Sequence, residues 1–217
     1  MENFILLYVC DGNVARSFAM EIVTRAEALE MGIVNLVVKS AGLGQERKED
    51  RTPIAEMRRE VSEALFRQGY PHDYYGHIPR QVNRILMAEA NLILCPEDTQ
   101  VDALKKRARC LEDITMSPYC ISTLPHYAEN SPINMQDPNE RIREVRFDSI
   151  LALQNTPFIG SSAAYLFRKF VYKKNEVVSN RDEKSVMVLY DNLVEQIRRY
   201  SALALERLLR EGRITKT

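Results

Sequence analysis

The sequence predicts an α/β protein organised on a parallel sheet, and three observations carry that expectation. An apolar run, Phe4 to Val9, is followed by a helical pattern from about Ser17 to Met31 and a second apolar run, Leu36 to Val38. Strand, helix, strand in that order is a βαβ unit, whose crossover is right-handed and whose strands are parallel. A third apolar run, Leu92 to Cys95, ends on Pro96-Glu97-Asp98, and a long one-faced helical pattern closes the chain.

The first strand delivers Cys10 to one end of the sheet, and the chain continues Asp11-Gly12-Asn13-Val14-Ala15-Arg16-Ser17. Gly12 and Asn13 both tolerate positive φ, so this segment suits a tight loop with its N–H groups turned inward. The next helix opens at Ser17, over the same point. A small oxyanion placed there meets backbone donors, the positive helix end and the Arg16 fork together. The same field favours a Cys10 thiolate over the neutral thiol. A cysteine after an apolar run is ordinarily core filler. Here the strand end, the Gly-Asn loop and an arginine at a helix start raise the functional alternative.

Phe18, Ile22, Ala26 and Leu29 form the apolar face of the first helix, which Gly32 ends. The second strand stops at Ser40-Ala41-Gly42, and the polar segment 44–50 reads as a surface loop. Pro53 can open a helix bearing Ile54, Met57, Val61 and Leu65, with Gly69 as its stop. Tyr70 to Gly76 is an aromatic turn, either a lip of the site or a packed loop. Ile78 to Ala88 reads as a helix with Val82, Ile85 and Leu86 on its apolar side. Lys105, Lys106, Arg107 and Arg109 read as a solvated helix face, and a fourth strand is expected near Arg109 to Ile114. Thr115 to Pro138 is irregular, with four prolines. Segment 139–181 reads as one helix around Glu140 to Leu153, a Thr156-Pro157 break, and a second from about Ser161 to Lys173. That helical pair would cap the site, form a homodimer face or extend the core. Val186, Leu189, Leu193, Ile197, Tyr200, Ala204 and Leu208 then climb one face of a last helix, roughly Asp182 to Arg210.

A chain of 217 residues can bury one good core, so 1–217 is expected to be a single domain with 139–181 inserted in it. The 30 basic and 30 acidic side chains cancel, which removes any bulk-charge reason to bind nucleic acid or an anionic membrane. Met1-Glu2-Asn3 is not a positively charged leader front, and no apolar run reaches membrane-spanning length, so a cytoplasmic protein is expected. Cys10, Cys95, Cys110 and Cys120 lack the paired spacings of zinc sites, and the three histidines are His72, His77 and His126. No metal or other cofactor is expected, nor a disulfide framework at this length.

The segment Val9 to Ser17, Val-Cys-Asp-Gly-Asn-Val-Ala-Arg-Ser, with Glu21 beyond it, resembles the signature of the low-molecular-weight protein tyrosine phosphatases. Thioredoxin-coupled arsenate reductases share that superfamily. Ser40-Ala41-Gly42, His77-x-x-Arg80 and Asp137-Pro138 follow in the family's order. The resemblance implies a three-layer α/β/α fold with a four-stranded parallel sheet, phosphotyrosine phosphatase I-like, plus a helical insertion before the last helix. It implies hydrolysis of phosphate monoesters, protein phosphotyrosine above all, through a phosphocysteine; the partner is then a phosphorylated protein or a small phosphate ester. Cys10 would be the nucleophile, and the N–H groups of Asp11, Gly12, Asn13, Val14, Ala15 and Arg16, with the Arg16 guanidinium, would hold the phosphate oxygens. Ser17 would donate a hydrogen bond to the Cys10 sulfur. Asp137 would be general acid and then general base; an Asp-Pro dipeptide is otherwise an ordinary turn, and Asp113 is the reserve candidate. Ser40 and His77 would support the loop, and Glu97 would be a supporting carboxylate where the family commonly has aspartate.

The chain also departs from that pattern. Asp11 replaces an apolar residue or threonine and puts a charge beside an anionic ligand, unless it points away or pairs with a basic group. A cationic leaving group, as in phosphoarginine, would welcome it. Asn139 and Glu140 follow Asp137-Pro138 without an aromatic, so Tyr74, Tyr75 or the insertion would have to flank a phenyl ring. Ala15 stands where many relatives carry a second cysteine, so the protective disulfide with Cys10 is unavailable. Two rival functions remain open. Arsenate reduction would use a resolving thiol such as Cys95 in Leu94-Cys95-Pro96, although Asp102 occupies the next relay position and Cys110 and Cys120 serve only if their loops reach in. A non-catalytic phosphoprotein-binding module is the other.

Overall fold

A computed structural model describes residues 2–44, 59–70, 77–109, 121–132, 134–135 and 187–217. In chain order these form β1 (Phe4–Cys10), α1 (Arg16–Glu30), β2 (Leu36–Gly42), α2 (Arg59–Arg67), α3 (Arg84–Glu89) and β3 (Leu92–Cys95). They continue with α4 (Asp98–Arg109), β4 (Ile121–Thr123) and α5 (Leu124–Glu129), and the chain closes on a helix over 187–210, here α6. The four strands pair in the order β2-β1-β3-β4, every pair parallel. This is the expected four-stranded α/β fold.

Strand β1 lies at the centre, which explains its unbroken apolar run: both of its faces are covered. Leu6 and Tyr8 turn to one face, together with Leu92 and Leu94, and pack against Phe18, Met20 and Val23 of α1 and Tyr190, Leu193 and Ile197 of α6. Leu7 and Val9 turn to the other face with Ile93 and Cys95, against Met87 of α3 and Val101 and Leu104 of α4. The Tyr8 hydroxyl is buried within the first layer, where it meets Thr24 Oγ1 at 2.8 Å; Thr24 in turn donates to Ser201 at 2.9 Å. Burial pushes the Tyr8 phenol up to about 12, so it stays neutral and tolerates the interior.

Several expectations are corrected. The helix read over Ile78 to Ala88 is confined to Arg84–Glu89. Residues 80–82 are extended instead, and Val82 N donates to Gly42 O at 2.7 Å while Gly42 N donates to Arg80 O at 2.8 Å. Pro79 favours extended backbone at the residue before it, and Asn83 caps the shortened helix by accepting from Leu86 N. Of the span Arg109 to Ile114 expected to hold the fourth strand, Arg109 is the last residue of α4 and the rest lies outside the described residues; the fourth strand of the sheet is Ile121–Thr123. Three residues are too few to show alternation. Consequently the stretch from Thr115 to Pro138, read as irregular, contains β4 and α5; Thr123 caps α5 by accepting from His126 N. Strand β2 runs through Ser40 and Ala41 to Gly42. The helical pair expected in 139–181 lies outside the described residues. No helix among the described residues is long and apolar enough to cross a membrane.

Candidate active site

Strand β1 ends on Cys10, and five residues separate it from Arg16, the first residue of α1. That connection turns on Asn13, which is fully buried with φ 56°. Asparagine tolerates this left-handed conformation better than most residues, and here its amide is held at both ends. Asn13 Nδ2 donates to Ser17 Oγ at 3.0 Å and to Ser40 Oγ at 2.9 Å, while Oδ1 accepts from Arg80 N at 3.0 Å. The Asn13 carbonyl accepts from His77 Nε2 at 2.8 Å.

The direction of these bonds orients two hydroxyls. Ser40 and Ser17 each receive an Asn13 N–H, so their own protons point elsewhere. Ser40 donates to the buried Glu21 carboxylate, which also pairs with Arg25 at 2.6 Å. Ser17 is then free to donate to Cys10 Sγ, 3.0 Å away. Glu21, in the sequence only part of a pattern, thus helps to direct the Ser17 proton three hydrogen bonds away.

Gly42 sets the floor. A Cβ at this position would lie 2.8 Å from Asp11 O and Gly12 C and 2.9 Å from Asn13 N, all backbone. Leu43 N and Gly44 N donate to Cys10 O and Asp11 O at 2.8 and 3.1 Å, tying β2 to the same loop. Gly42→Ala is therefore expected to destabilise the protein by about 1–3 kcal/mol, the usual cost of overpacking. Thermal melts check it, and a variant with unaltered melting would sink the claim.

Arg16 is 4% exposed and reaches carboxylates on two sides. Nη2 donates to Asp11 Oδ2 at 3.0 Å, and Nη1 donates to Glu97 Oε1 and to Met135 O, the latter at 3.4 Å. A buried guanidinium needs such partners. Asp11 does not point away: it pairs with this arginine and also accepts from Gln100 Nε2 at 2.8 Å. Gln100 is the residue the sequence did not disclose. Its signal was faint, one amide on a helix face shared with Val101 and Leu104.

Of the residues singled out from the sequence, Asp11, Asn13, Ser17, Ser40, His77 and Glu97 come together with Cys10 and Arg16 from four separate segments of chain. Gly12, Val14 and Ala15 lie in the same loop. Asp137 lies outside the described residues, as do Asp113, Tyr74, Tyr75, Cys110 and Cys120. The chain approaching Asp137 is nonetheless pinned nearby: Met135 is fully buried, its N–H donates to Pro96 O at 2.8 Å, and its carbonyl faces Arg16.

His77 packs against Phe18 with the rings tilted by 40° and their centroids 3.9 Å apart, and burial lowers its pKa below the ordinary 6.5. A neutral ring suffices, since Nε2–H is the donor to Asn13. An unfolded chain binds a proton on this histidine as pH falls through about 6.5, whereas the folded one resists it, so stability declines on acidification. Urea melts from pH 7.5 to 5.5 should show this loss, reduced in His77→Asn; an identical pH slope in that variant would refute it.

Cys95 is fully buried, and burial, reinforced by Cys10 and Asp11, raises its thiol well above the ordinary range. It packs on the sheet face opposite Tyr8, with Val101 and Leu104, whereas Cys10 meets Ser17 on the α1 side. A protonated thiol behind the sheet is poorly placed to attack at Cys10.

The family model described as "Low molecular weight phosphotyrosine protein phosphatase" matches residues 5–157. No curated protein matches the chain. Among solved structures, YfkJ from Bacillus subtilis is similar with a TM-score of 0.62 at 18% identity, covering 97% of this chain and 98% of that one. A low molecular weight protein tyrosine phosphatase from T. tengcongensis gives 0.59 at 15% identity, with 95% and 100% covered. The YwlE arginine phosphatase from Geobacillus stearothermophilus gives 0.58 at 16%, with 96% and 94% covered. At such identities these likenesses are of fold.

Proposed function

Because the chain belongs to the low molecular weight phosphotyrosine protein phosphatase family, we propose that this phosphatase hydrolyses phosphate monoesters, protein phosphotyrosine first among them, through a phosphocysteine. The observation that carries the proposal is the directed hydrogen-bond chain from Asn13 through Ser17 to Cys10 Sγ, at a loop that ends on a buried arginine. In the first step the Cys10 thiolate attacks phosphorus in line, the phosphorus–oxygen bond to the leaving group breaks, and Asp137 protonates the departing oxygen. In the second, Asp137 takes a proton from water, the water oxygen attacks phosphorus, and the thiolate leaves with the electrons of the sulfur–phosphorus bond. Ser17 stabilises that thiolate as it departs. The Arg16 guanidinium and the loop N–H groups hold the equatorial oxygens. Cys10 must stay reduced to act, which suits a cytoplasmic setting.

Phosphoarginine is less well supported. The contacts of Asp11 give it no positive support, since the carboxylate that would draw a cationic leaving group is turned to Arg16 and Gln100. Arsenate reduction is disfavoured by the position and protonation of Cys95. Hydrolysis of a simple aryl phosphate, lost in Cys10→Ser, tests the proposal. Phosphate binding without any turnover would convert the protein into a binding module instead.

A further inference from the structure

We propose that Asp11 is an internal competitor for the phosphate site, a carboxylate anchored by Gln100 on the edge of Arg16 that an incoming phosphate needs. This deepens the function proposed above and rests on its reading of the 10–17 loop as the anion site. Asp11 follows the nucleophile directly, and its Oδ2 accepts from both Arg16 Nη2 at 3.0 Å and Gln100 Nε2 at 2.8 Å. The two carboxylates on Arg16 differ in freedom: the Asp11 side chain is 32% exposed and that of Glu97 17%. Asp11 therefore sits at the rim, with solvent to move into, and Glu97 sits deeper.

Gln100 shows that the arrangement is built. It is 1% exposed, and its Oε1 is buried without a hydrogen-bond partner among the described residues. An orphaned buried acceptor costs stability, and a leucine on this apolar helix face would avoid the cost. What the glutamine supplies is the Nε2–H that fastens Asp11. The amide orientation follows from chemistry, because a carboxylate can accept only from the nitrogen end.

A phosphate oxygen and the Asp11 carboxylate cannot share the same guanidinium edge without like-charge repulsion. Binding then requires Asp11 to yield, and the apparent affinity falls by the fraction of time the edge is open. Because the cost falls on substrate and transition state alike, it raises KM and leaves kcat nearly alone. It also weakens retention of inorganic phosphate, so product leaves readily.

The full-length protein with Asp11→Asn or Gln100→Leu tests this, using inorganic phosphate to protect Cys10 from iodoacetate. Each protection curve is scaled to that variant's own unprotected rate. Asp11→Asn is expected to lower the half-protecting phosphate concentration by about 10-fold, the scale of one charge-assisted hydrogen bond. KM for an aryl phosphate should fall in parallel, with kcat little changed. Gln100→Leu should move both quantities the same way by less, without lowering the melting temperature. An unchanged or higher half-protecting concentration in Asp11→Asn overturns the proposal; should that variant fail to melt cooperatively, the same outcome in Gln100→Leu overturns it. Protection that responds as stated without turnover would strike the hydrolysis reading alone, and unchanged protection with intact turnover would strike this one alone.

Discussion

Cys10→Ser is expected to lower hydrolysis of an aryl phosphate by about 10,000-fold or more, the scale seen when a covalent nucleophile is removed. The oxygen nucleophile left behind is a neutral hydroxyl, and among the described residues its hydrogen-bond partner is the Ser17 hydroxyl, which is no base to take its proton. Ser17 is committed as a donor toward position 10 because Asn13 already donates to it. The loop itself should survive: Cys10 is 3% exposed, and the smaller serine fits without displacing Asn13. Phosphate should therefore still bind, as calorimetry would show. Turnover persisting in purified Cys10→Ser, beyond what contaminating phosphatase accounts for, would end the phosphocysteine mechanism. Cys95→Val is the matching control, since Cys95 faces the opposite layer and should leave the rate as it is.

Asp137→Asn is expected to reduce turnover by about 100- to 10,000-fold, the usual contribution of a positioned proton donor. Phosphate protection of Cys10 should be spared, because an amide in place of the acid removes a proton source and not an anion contact. The loss should grow with the basicity of the leaving group, being larger for an unsubstituted phenyl phosphate than for a nitrophenyl one. That dependence separates general acid catalysis from a merely structural role. Arg16 Nη1 reaches Met135 O at 3.4 Å, which brings the chain to the arginine two residues before Asp137. If Asp137→Asn retained full activity toward phenyl phosphate, Asp113 would become the residue to examine.

Much of the site was legible because its chemistry is local in sequence. The distance from Cys10 to Arg16 is set by one loop, and an apolar strand before it and a helical period after it imply where the two ends lie. The long α6 was legible for a similar reason, since one amphipathic face repeated over many turns leaves little choice of structure. Short elements were not. β4 has three residues, and the extended run at 80–82 owes its conformation to hydrogen bonds with Gly42, far away in the chain. Local periodicity favoured a helix there, and tertiary pairing overrode it.

What the sequence by itself determined was the class of the fold and the cluster of residues at the end of β1, because hydrophobic period and loop spacing act between neighbours. Only the tertiary structure decided where the charge of Asp11 goes. Arg16 lies five residues on at the end of the same loop, but Gln100 comes from a helix on the opposite face of the sheet, and no spacing along the chain brings it to Asp11. The same holds for Cys95. In the text of the chain it is a thiol one residue before a proline, and in the folded protein it is a neutral, buried group on the far side of a strand.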